Sequence, residues 1–336
     1  MRDEGVPLRI LVAGFGSIAQ RHVRNLRTLT PLEIVAYRVG GEPLPEEFQG
    51  DWITETTDLE EALSRRPDAA LVCSPPRHIM EVALRLARAG CPLFIEKPLS
   101  HTMEGVAELV SLVREQSLVS LMGYNLRYQP GLQLVKALLD EGRIGRVVSL
   151  RVQVGQYLPD WHPWEDYRKG YSARRDLGGG VITDLIHEID YVRWLGGEVH
   201  RVVCLADHVS RLEIDTEDVA EILLGFESGA IGSVHVDYVQ RAPTRGCQII
   251  GDEGTIVWDD SAGEVRLFEA DDSEWQTFRQ EGFERNDMYL AEMKHFLDCL
   301  EGRAQPVVDV GEGAEVLRIA LAARADAEAG VKPADG

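Results

Sequence analysis

The stretch LRILVAGFGSIA, residues 8–19, decides how this chain begins to fold. Residues 8–13 are mostly apolar, a pattern that predicts a strand buried on both faces of a parallel sheet. A G-x-G-x-x-A motif follows at once, and a helical pattern then runs over residues 20–29 and stops before Pro31. In such a motif Gly14 allows a tight turn, Gly16 lets the backbone approach a pyrophosphate, and Ala19 keeps the helix close to the sheet. Because the helix would present its free N–H groups and positive dipole end to that phosphate, the stretch predicts a dinucleotide-binding fold.

The second predicted strand, residues 33–38, should end in the group that reads the adenosine ribose of the cofactor. An acid at that position accepts a hydrogen bond from the 2′-hydroxyl of NAD, whereas an arginine suits the 2′-phosphate of NADP. This chain offers Arg38 and no acid before Glu42. We therefore expect NAD or NADP, with Arg38 favouring NADP. The alternative is a solvated arginine at a strand end.

Strands and helices then alternate up to residue 122. The later predicted strands are residues 69–73, 93–96 and 118–122, and the predicted helices are residues 58–64, 78–89 and 103–116. This alternation predicts a doubly wound parallel α/β domain, with a boundary that places residues 1–123 in the dinucleotide-binding domain.

The remainder of the chain, residues 124–336, is rich in short strand-like runs joined by turns that contain Gly or Asp. The runs are residues 147–154, 201–205, 219–226, 230–238, 247–250, 255–258 and 265–268, and helices are predicted over 180–195, 289–300 and 312–329. Consecutive short strands predict a second, α+β domain with an open, mostly antiparallel sheet. One face of such a sheet usually needs cover, so we expect a homodimer or homotetramer.

Two loops at the predicted carboxyl edge of the parallel sheet carry candidate chemistry. The strand over residues 93–96 ends in Glu96, Lys97 and Pro98, and Ser74-Pro75-Pro76 follows another buried strand. Open parallel sheets bind ligands outside the carboxyl ends of their strands, so Lys97 is delivered where a reaction is expected. The alternative is a surface Glu–Lys pair on a turn.

A second chemical segment covers residues 177–191. At about 100° per residue on one helix, Asp184, His187, Glu188 and Tyr191 fall on the same side. A neighbouring carboxylate can orient an imidazole and raise its basicity, as a general base requires. The alternatives are a solvated polar face or a metal site. His187-Glu188 would begin an H-E-x-x-H motif, but Tyr191 stands where the second histidine is needed, so no metal is predicted.

Aromatic residues and Arg168 are concentrated in residues 161–168. Aromatic faces pack against the apolar faces of sugars, and Arg168 could hold a carboxylate or a phosphate. The alternative is a loop held in place by its own tryptophans. Residues 124–128 follow the last strand of the first domain and thus lie at the expected domain junction, where two-domain enzymes usually hold their ligands.

Composition excludes some classes of partner. The formal net charge of −21 argues against nucleic acid and anionic membranes as partners, because both are polyanions. The 5 cysteines form no C-x-x-C pair, which fits free thiols in a reducing compartment. No window approaches the roughly 18 apolar residues that a membrane span needs, and the N-terminus lacks the pattern of a signal peptide. We expect a cytoplasmic protein.

With these residues in place, the chain resembles the glucose–fructose oxidoreductase / inositol dehydrogenase (GFO/IDH/MocA) family over nearly its whole length. The resemblance rests on residues 14–19, 74–78, 96–99 and 125–128, and on the glycine run 178–180 that leads to Asp184 and His187. It implies an NAD(P)-dependent oxidoreductase that acts on a sugar, a cyclitol or a sugar derivative. The chain is also similar to a subgroup of the family that is linked to acidic-sugar or cell-surface polysaccharide synthesis.

The resemblance implies roles for individual residues. Lys97 and His187 would lie beside the reacting carbon, and the Lys97–Pro98 bond would be cis. Family members commonly have an aspartate four residues before this histidine, whereas Asp184 precedes His187 by three. The predicted cofactor-binding residues are Gly14, Gly16, Ser17, Ile18, Ala19, Arg38, Ser74, Pro75, His78, Glu96, Lys97 and Asn125. The predicted substrate-binding residues are Lys97, Tyr124, Arg127, Trp161, Trp164, Tyr167, Arg168, Asp184 and His187.

These predictions combine into one hypothesis, hydride transfer between C4 of a nicotinamide and a carbinol carbon of a sugar-like substrate. His187 would accept the hydroxyl proton, Asp184 would orient His187, and Lys97 would donate a hydrogen bond to the reacting oxygen. One alternative is redox-assisted elimination or isomerisation with a retained cofactor. The other is a non-catalytic sensor that binds nucleotide.

Overall fold

The computed structural model describes residues 6–40, 43–161, 163 and 165–330. It divides into two compact units. The first unit comprises Met1–Asn125 and Arg285–Ala314, and the second comprises Leu126–Glu284 and Glu315–Gly336. The segment 285–314 therefore clusters with the first unit, although the division made from the sequence places it in the second domain.

The strands of the described chain are, in order, β1 (Leu8–Ala13), β2 (Leu32–Tyr37), β3 (Ile53–Thr56), β4 (Ala69–Val72), β5 (Leu93–Glu96), β6 (Ser120–Gly123), β7 (Val147–Gly155), β8 (Val199–Asp207), β9 (Val219–Phe226), β10 (Ile231–Asp237), β11 (Thr244–Gly251), β12 (Gly254–Asp259), β13 (Glu264–Glu269) and β14 (Gln276–Arg279). The sequence analysis did not predict β3 or β14, which are short and carry few apolar residues.

The α-helices are α1 (Ser17–Leu29), α2 (Leu59–Ser64), α3 (Pro76–Arg88), α4 (Val106–Glu115), α5 (Pro130–Asp140), α6 (Val181–Asp184), α7 (His187–Gly196), α8 (Arg285–Leu300) and α9 (Val310–Ala329). Helix α5 was not predicted. Helix α4 begins three residues later than predicted, after Gly105 in a left-handed conformation (φ 77°), and α3 begins two residues earlier, with Pro76 in its first turn.

The first unit is built on a six-stranded parallel sheet in the order β3-β2-β1-β4-β5-β6. This order, with its reversal between β1 and β4, is that of a doubly wound dinucleotide-binding fold, so the predicted fold class is confirmed. Strands β4 and β5 are buried at every position, as their apolar sequences require. Helix α8 packs against α1, which explains why residues from the end of the chain return to this unit.

The second unit is built on an eight-stranded sheet in the order β14-β13-β12-β11-β7-β10-β9-β8. Its pairs are antiparallel except for β7 with β10, as the prediction of a mostly antiparallel sheet required. Burial alternates along β9, so one face is covered and the other is open. Leu205, Leu223 and Ile231 are more than half exposed on the strands β8 to β10.

The predicted helix over residues 180–195 is wrong in one respect, because the structure has two helices separated by Leu185 and Ile186. The helix breaks there because Leu185 has ψ 33°, which ends the run begun at Val181. The predicted polar face is also not solvated, since Glu188 and Tyr191 are fully buried. No helix among the described residues has the length and apolar character required to cross a membrane.

Candidate active site

The glycine-rich turn of the first unit is shaped as phosphate binding requires. Gly14 has φ +82°, and a Cβ there would lie 2.9 Å from the carbonyl oxygen of Cys73 and 2.9 Å from the amide nitrogen of Ser74. At Gly16, by contrast, a Cβ would meet no described atom within 4 Å, so this backbone faces open space. Gly16 is the N-cap of α1 and supplies no side-chain cap. The first N–H groups of α1 are therefore available to a phosphate.

The other predicted cofactor residues of this region lie at the carboxyl ends of β1 and β4 and in the first turns of α1 and α3. The Ser74 hydroxyl donates to the carbonyl oxygen of Ala13 at 3.2 Å, which ties the ends of the two strands together. Pro75 precedes α3, and His78 is exposed in the first turn of that helix. Ser17 and Ile18 form the start of α1, and Ala19 is fully buried against the sheet. The structure thus places these residues at one edge of the parallel sheet.

A pocket of about 520 Å³ opens beside the ends of β2 and β3. Its walls include Arg38 and two acids, Glu55 and Glu61. The Arg38 guanidinium lies 3.5 Å from the Glu55 carboxylate. The hydroxyl of Thr56 donates to Glu61 at 2.6 Å, and this bond, followed by the Arg65 guanidinium, lowers the pKa of Glu61. The arginine predicted to read a 2′-phosphate therefore shares its pocket with carboxylates.

Lys97 leaves the carboxyl end of β5, and the Lys97–Pro98 peptide bond is cis, as the family resemblance implies. Lys97 is partly exposed, whereas Glu96 is buried. The Glu96 carboxylate accepts the backbone N–H of Lys97 at 3.2 Å and lies 2.5 Å from Nε2 of His22. Tyr124 and Asn125, which follow β6, are both buried. The described contacts of Glu96 therefore point into the protein, towards His22 and the Lys97 backbone.

In the second unit, His187 is the first residue of α7 and is partly exposed. Asp184, the last residue of α6, is buried and accepts hydrogen bonds from three hydroxyl groups. Its Oδ1 accepts from Tyr171, and its Oδ2 accepts from Ser172 at 2.5 Å and from Tyr238 at 3.0 Å. Burial, and then the Asp184 charge, raises the pKa of the Tyr238 hydroxyl well above its usual value, so it remains a donor. These hydroxyls hold the segment that immediately precedes His187.

Two arginines predicted to bind substrate have acidic partners in the second unit. The buried guanidinium of Arg127 donates to both oxygens of Asp190, at 2.7 and 2.9 Å. The exposed guanidinium of Arg168 donates to Asp166 and to Glu213, each at 2.8 Å. The charges of both arginines are thus largely offset by carboxylates of the chain.

The predicted aromatic loop is held partly by its own contacts. The ring of Trp161 packs edge-on against Tyr238, with centroids 5.5 Å apart, and the Tyr167 hydroxyl accepts the backbone N–H of Glu213 at 3.2 Å. Trp164 lies outside the described residues. These contacts favour the alternative in which the loop is fixed by its own aromatic residues.

Several buried or partly exposed polar residues with contacts in one of the two units were not identified from the sequence. They are His22, Glu292, Tyr171, Ser172, Tyr238 and Arg245. His22 carried a readable signal, because it lies on the same face of α1 as the buried Ala19, Val23 and Leu26. Arg245 donates to the buried carboxylate of Glu188 at 2.8 Å from a distant strand, which no local pattern indicates. No group of three or more metal-ligating side chains is found in the described ranges.

Comparison with known proteins agrees with this geometry. Residues 8–124 match the sequence model described as "Oxidoreductase family, NAD-binding Rossmann fold", and residues 132–257 match the model described as "GFO/IDH/MocA C-terminal domain". Myo-inositol 2-dehydrogenase of Thermotoga maritima is 27% identical over 337 residues, which covers 96% of each chain. The 1,5-anhydro-D-fructose reductase of Ensifer adhaerens is 27% identical over 76% of each chain.

Solved structures show the same fold. A levoglucosan dehydrogenase in complex with NADH and levoglucosan has a TM-score of 0.85 at 21% identity, covering 96% of this chain and 98% of that one. The WlbA dehydrogenase from Bordetella pertussis, in complex with NADH and UDP-GlcNAcA, has a TM-score of 0.79 at 22% identity, covering 99% and 100%.

Proposed function

Because the chain belongs to the GFO/IDH/MocA family of oxidoreductases, we propose that it transfers a hydride between C4 of a nicotinamide and a carbinol or carbonyl carbon of a sugar, cyclitol or sugar derivative. One observation carries the proposal. Lys97 leaves β5 at the same sheet edge as the glycine-rich turn and the free end of α1. Ligands of open parallel sheets bind at that edge. The position of Lys97 therefore supports the proposal that it lies beside the bound cofactor.

The residues of the first unit fit a nicotinamide dinucleotide. Gly14 and Gly16 provide the close backbone approach, the N-terminus of α1 would hold the pyrophosphate, and the pocket beside Arg38 would take the adenosine ribose. When bound, the nicotinamide supplies the hydride acceptor or donor.

We propose complementary roles for the two side chains nearest the predicted reaction. His187 accepts the hydroxyl proton of the substrate as a general base when the alcohol is oxidised. Lys97 donates a hydrogen bond to the reacting oxygen and so stabilises the negative charge that develops there. Asp184 supports His187 by fixing the segment before it, through its bonds from Tyr171, Ser172 and Tyr238. Direct contact between Asp184 and His187 remains a prediction.

The remaining predicted residues suggest a neutral substrate. Arg127 and Arg168 both pair with carboxylates of the chain, so neither supports strong recognition of an acidic sugar. Contact between the sugar or cyclitol ring and Tyr124, Trp161, Trp164 or Tyr167 stays a prediction. We further propose a homo-oligomeric, cytoplasmic enzyme, on the basis of the open sheet face and the buried free cysteines.

The function is tested by a turnover screen of neutral sugars, cyclitols and uronic acids with NAD⁺ and NADP⁺. Production of reduced cofactor with a neutral polyol supports the proposal. Purified protein that carries stoichiometric, non-exchanging nucleotide would instead support redox-assisted elimination or isomerisation. Nucleotide binding without turnover of any compound would support a sensor.

The choice between cofactors is tested separately. The prediction of NADP rested on Arg38, but Glu55 and Glu61 line the same pocket and would repel a 2′-phosphate. We therefore propose NAD as the preferred cofactor. Fluorescence titrations with NADH and NADPH should show tighter binding of NADH, and Glu55→Gln should narrow the difference. Tighter binding of NADPH by the unaltered protein would contradict this proposal and support the original prediction.

A further inference from the structure

We propose that His22 and Glu292 are positioning residues for Lys97. With Glu96 they form a buried cluster, the Glu96 cluster, in which Glu292 retains a proton and Glu96 holds the backbone of Lys97. The catalytic part of this inference rests on the proposed function, because it assigns a purpose to the position of Lys97. The structural part, a proton held at Glu292, does not depend on the reaction.

His22 connects the glycine-rich helix to the Lys97 loop. It is fully buried on α1, at a position otherwise suited to an apolar side chain. A buried polar group is unfavourable unless it forms hydrogen bonds, and Nε2 of His22 lies 2.5 Å from Oε1 of Glu96. A carboxylate can only accept, so Nε2 donates to Glu96 when that acid is ionised. The rings of Phe94 and Tyr289 pack edge-on against the imidazole and restrict its orientation.

Glu96 in turn holds Lys97. Its second oxygen, Oε2, accepts the backbone N–H of Lys97 at 3.2 Å. The neighbouring strand leaves room for this arrangement, because Glu96 pairs in register with Gly123. A Cβ at Gly123 would lie 2.9 Å from the Glu96 carboxyl carbon. The carboxylate is thus bonded to His22 and to Lys97 and fits only where residue 123 lacks a side chain.

Glu292 brings a second carboxyl group to this cluster from α8. It is fully buried, and among the described residues neither of its oxygens has a hydrogen-bond partner. Burial, and then the charge of Glu96, raises the pKa of Glu292 well above its usual value. Two adjacent buried carboxyl groups do not both ionise readily, because burial and their mutual repulsion disfavour a second negative charge. Glu292 therefore keeps its proton, beside the Glu96 carboxyl group that contacts His22 and accepts the backbone N–H of Lys97.

Few other titratable groups reach this cluster. The Cys73 thiol at the end of β4 faces it, and burial, followed by Glu96 and Glu292, raises its pKa well above the usual value, so it stays neutral. On the outer side Arg21 stacks over the Tyr289 ring at 4.5 Å. One turn further along α8, burial lowers the pKa of His295, so this imidazole is neutral as well. Among these described neighbours, Cys73 and His295 are neutral, and Arg21 stacks on the Tyr289 ring and donates no hydrogen bond to Glu292.

The consequence for stability has a definite sign. A carboxyl group whose pKa is raised on folding contributes stability that is fully present below its ordinary value of 4.5 and is lost as the pH rises through the raised value. The Glu292→Gln variant cannot ionise and should not show this loss. The difference in unfolding midpoint between the variant and the unaltered protein should therefore grow as the pH rises from acid to alkaline. Asp287→Asn, which changes an exposed acid on the same helix, is the matched control.

The proton assignment is tested by thermal unfolding of the full chain across this pH range. We expect the midpoint of Glu292→Gln to rise relative to both the unaltered protein and Asp287→Asn with increasing pH. Parallel curves for all three proteins would overturn the proposal, because Glu292 would then hold no proton that folding protects. This measurement needs no substrate, so it remains decisive even if the proposed hydride transfer is wrong.

The positioning role is tested by turnover and by nucleotide binding. His22→Phe preserves an aromatic ring but removes the donor to Glu96. It should lower kcat about 10- to 100-fold when kcat is normalised to the concentration of NADH-binding sites. His22→Gln restores a donor and should recover part of that loss. Glu292→Gln should keep a larger fraction of its neutral-pH kcat at alkaline pH than the unaltered enzyme does. Equal kcat values for the two His22 variants would overturn the positioning role of His22. The same dependence of kcat on alkaline pH in Glu292→Gln and in the unaltered enzyme would overturn that of Glu292.

Discussion

Two buried acids serve the predicted reaction in different ways. In the first unit Glu96 contacts one imidazole and accepts one backbone N–H, and the neighbouring carboxyl group of Glu292 has no hydrogen-bond partner among the described residues. In the second unit both oxygens of Asp184 accept hydrogen bonds, from three hydroxyl groups in all. The two carboxyl groups of the first arrangement have too few donors, which is why Glu292 is proposed to retain a proton. In the second arrangement the hydroxyl groups satisfy both oxygens of Asp184. Buried carboxyl groups of this chain thus differ in how fully the donors around them satisfy their oxygens.

The largest expected effect concerns the side chains that these acids support. Lys97→Met and His187→Asn should each reduce turnover by about 10²- to 10⁴-fold, because each removes a group that acts on the reacting hydroxyl. If both act in the same step, the double variant should be far less impaired than the product of the two losses. Initial rates at saturating cofactor measure this, and NADH fluorescence confirms that binding persists. Near-normal turnover of Lys97→Met would refute its catalytic role.

A third buried acid extends the comparison to stability. Asp190 is fully buried and forms an ion pair with the guanidinium of Arg127. Arg127→Leu would leave this charge without its partner, and we expect a loss of about 3–5 kcal/mol in the free energy of unfolding. Arg168→Leu is the matched control, because the same substitution in an exposed, solvent-screened pair should change stability far less. Denaturant unfolding of both variants measures the two losses in unfolding free energy. Equal losses would contradict the expectation that the buried pair contributes more than the exposed one.

How far these acids could be predicted depends on where their partners lie in the sequence. Lys97 was identified because a buried strand, its end and the following proline are consecutive, and the parallel sheet fixes which edge they reach. The fold class followed for the same reason, from strands and helices that alternate locally. Asp184 and Glu188 were also singled out, but their partners Tyr238 and Arg245 lie on distant strands and no periodicity connects them. The prediction that Asp184 and His187 lie on one continuous helix was wrong, because the helix breaks at Leu185.

Glu292 was the least predictable of these residues. It stands between Ala291 and Met293 in a helix whose return to the first unit has no local signal in the sequence. Its burial depends on α8 packing against α1, a contact between segments more than half the chain apart. A buried carboxyl group without a donor also contradicts the ordinary expectation for a glutamate in a helix, which is solvent exposure.

The space around Glu96 supplies a test of the first arrangement. Gly123→Ala would place a methyl group 2.9 Å from the Glu96 carboxyl carbon, which His22 and Lys97 hold from other directions. We expect a loss of about 1–3 kcal/mol in unfolding free energy and a fall in kcat that exceeds any change in the affinity for NADH. Gly16→Ala, where no described atom lies within 4 Å, should leave stability nearly unchanged. Unaltered stability and kcat in Gly123→Ala would show that the carboxylate is free to move.

The smallest effect is expected at Asp184. Tyr238→Phe removes one donor of three, so Asp184 keeps its bonds from Tyr171 and Ser172 and the loss should be about 1 kcal/mol. Burial, and then Asp184, raises the pKa of Tyr238 well above 10.0, so its contribution is fully present below that value and is lost only at still higher pH. The stability difference between Tyr238→Phe and the unaltered protein should therefore stay constant from acid to neutral pH. The difference caused by Glu292→Gln should change over the same range. If unfolding midpoints show that both differences vary alike with pH, then the donors around these acids do not determine how each unit responds to pH.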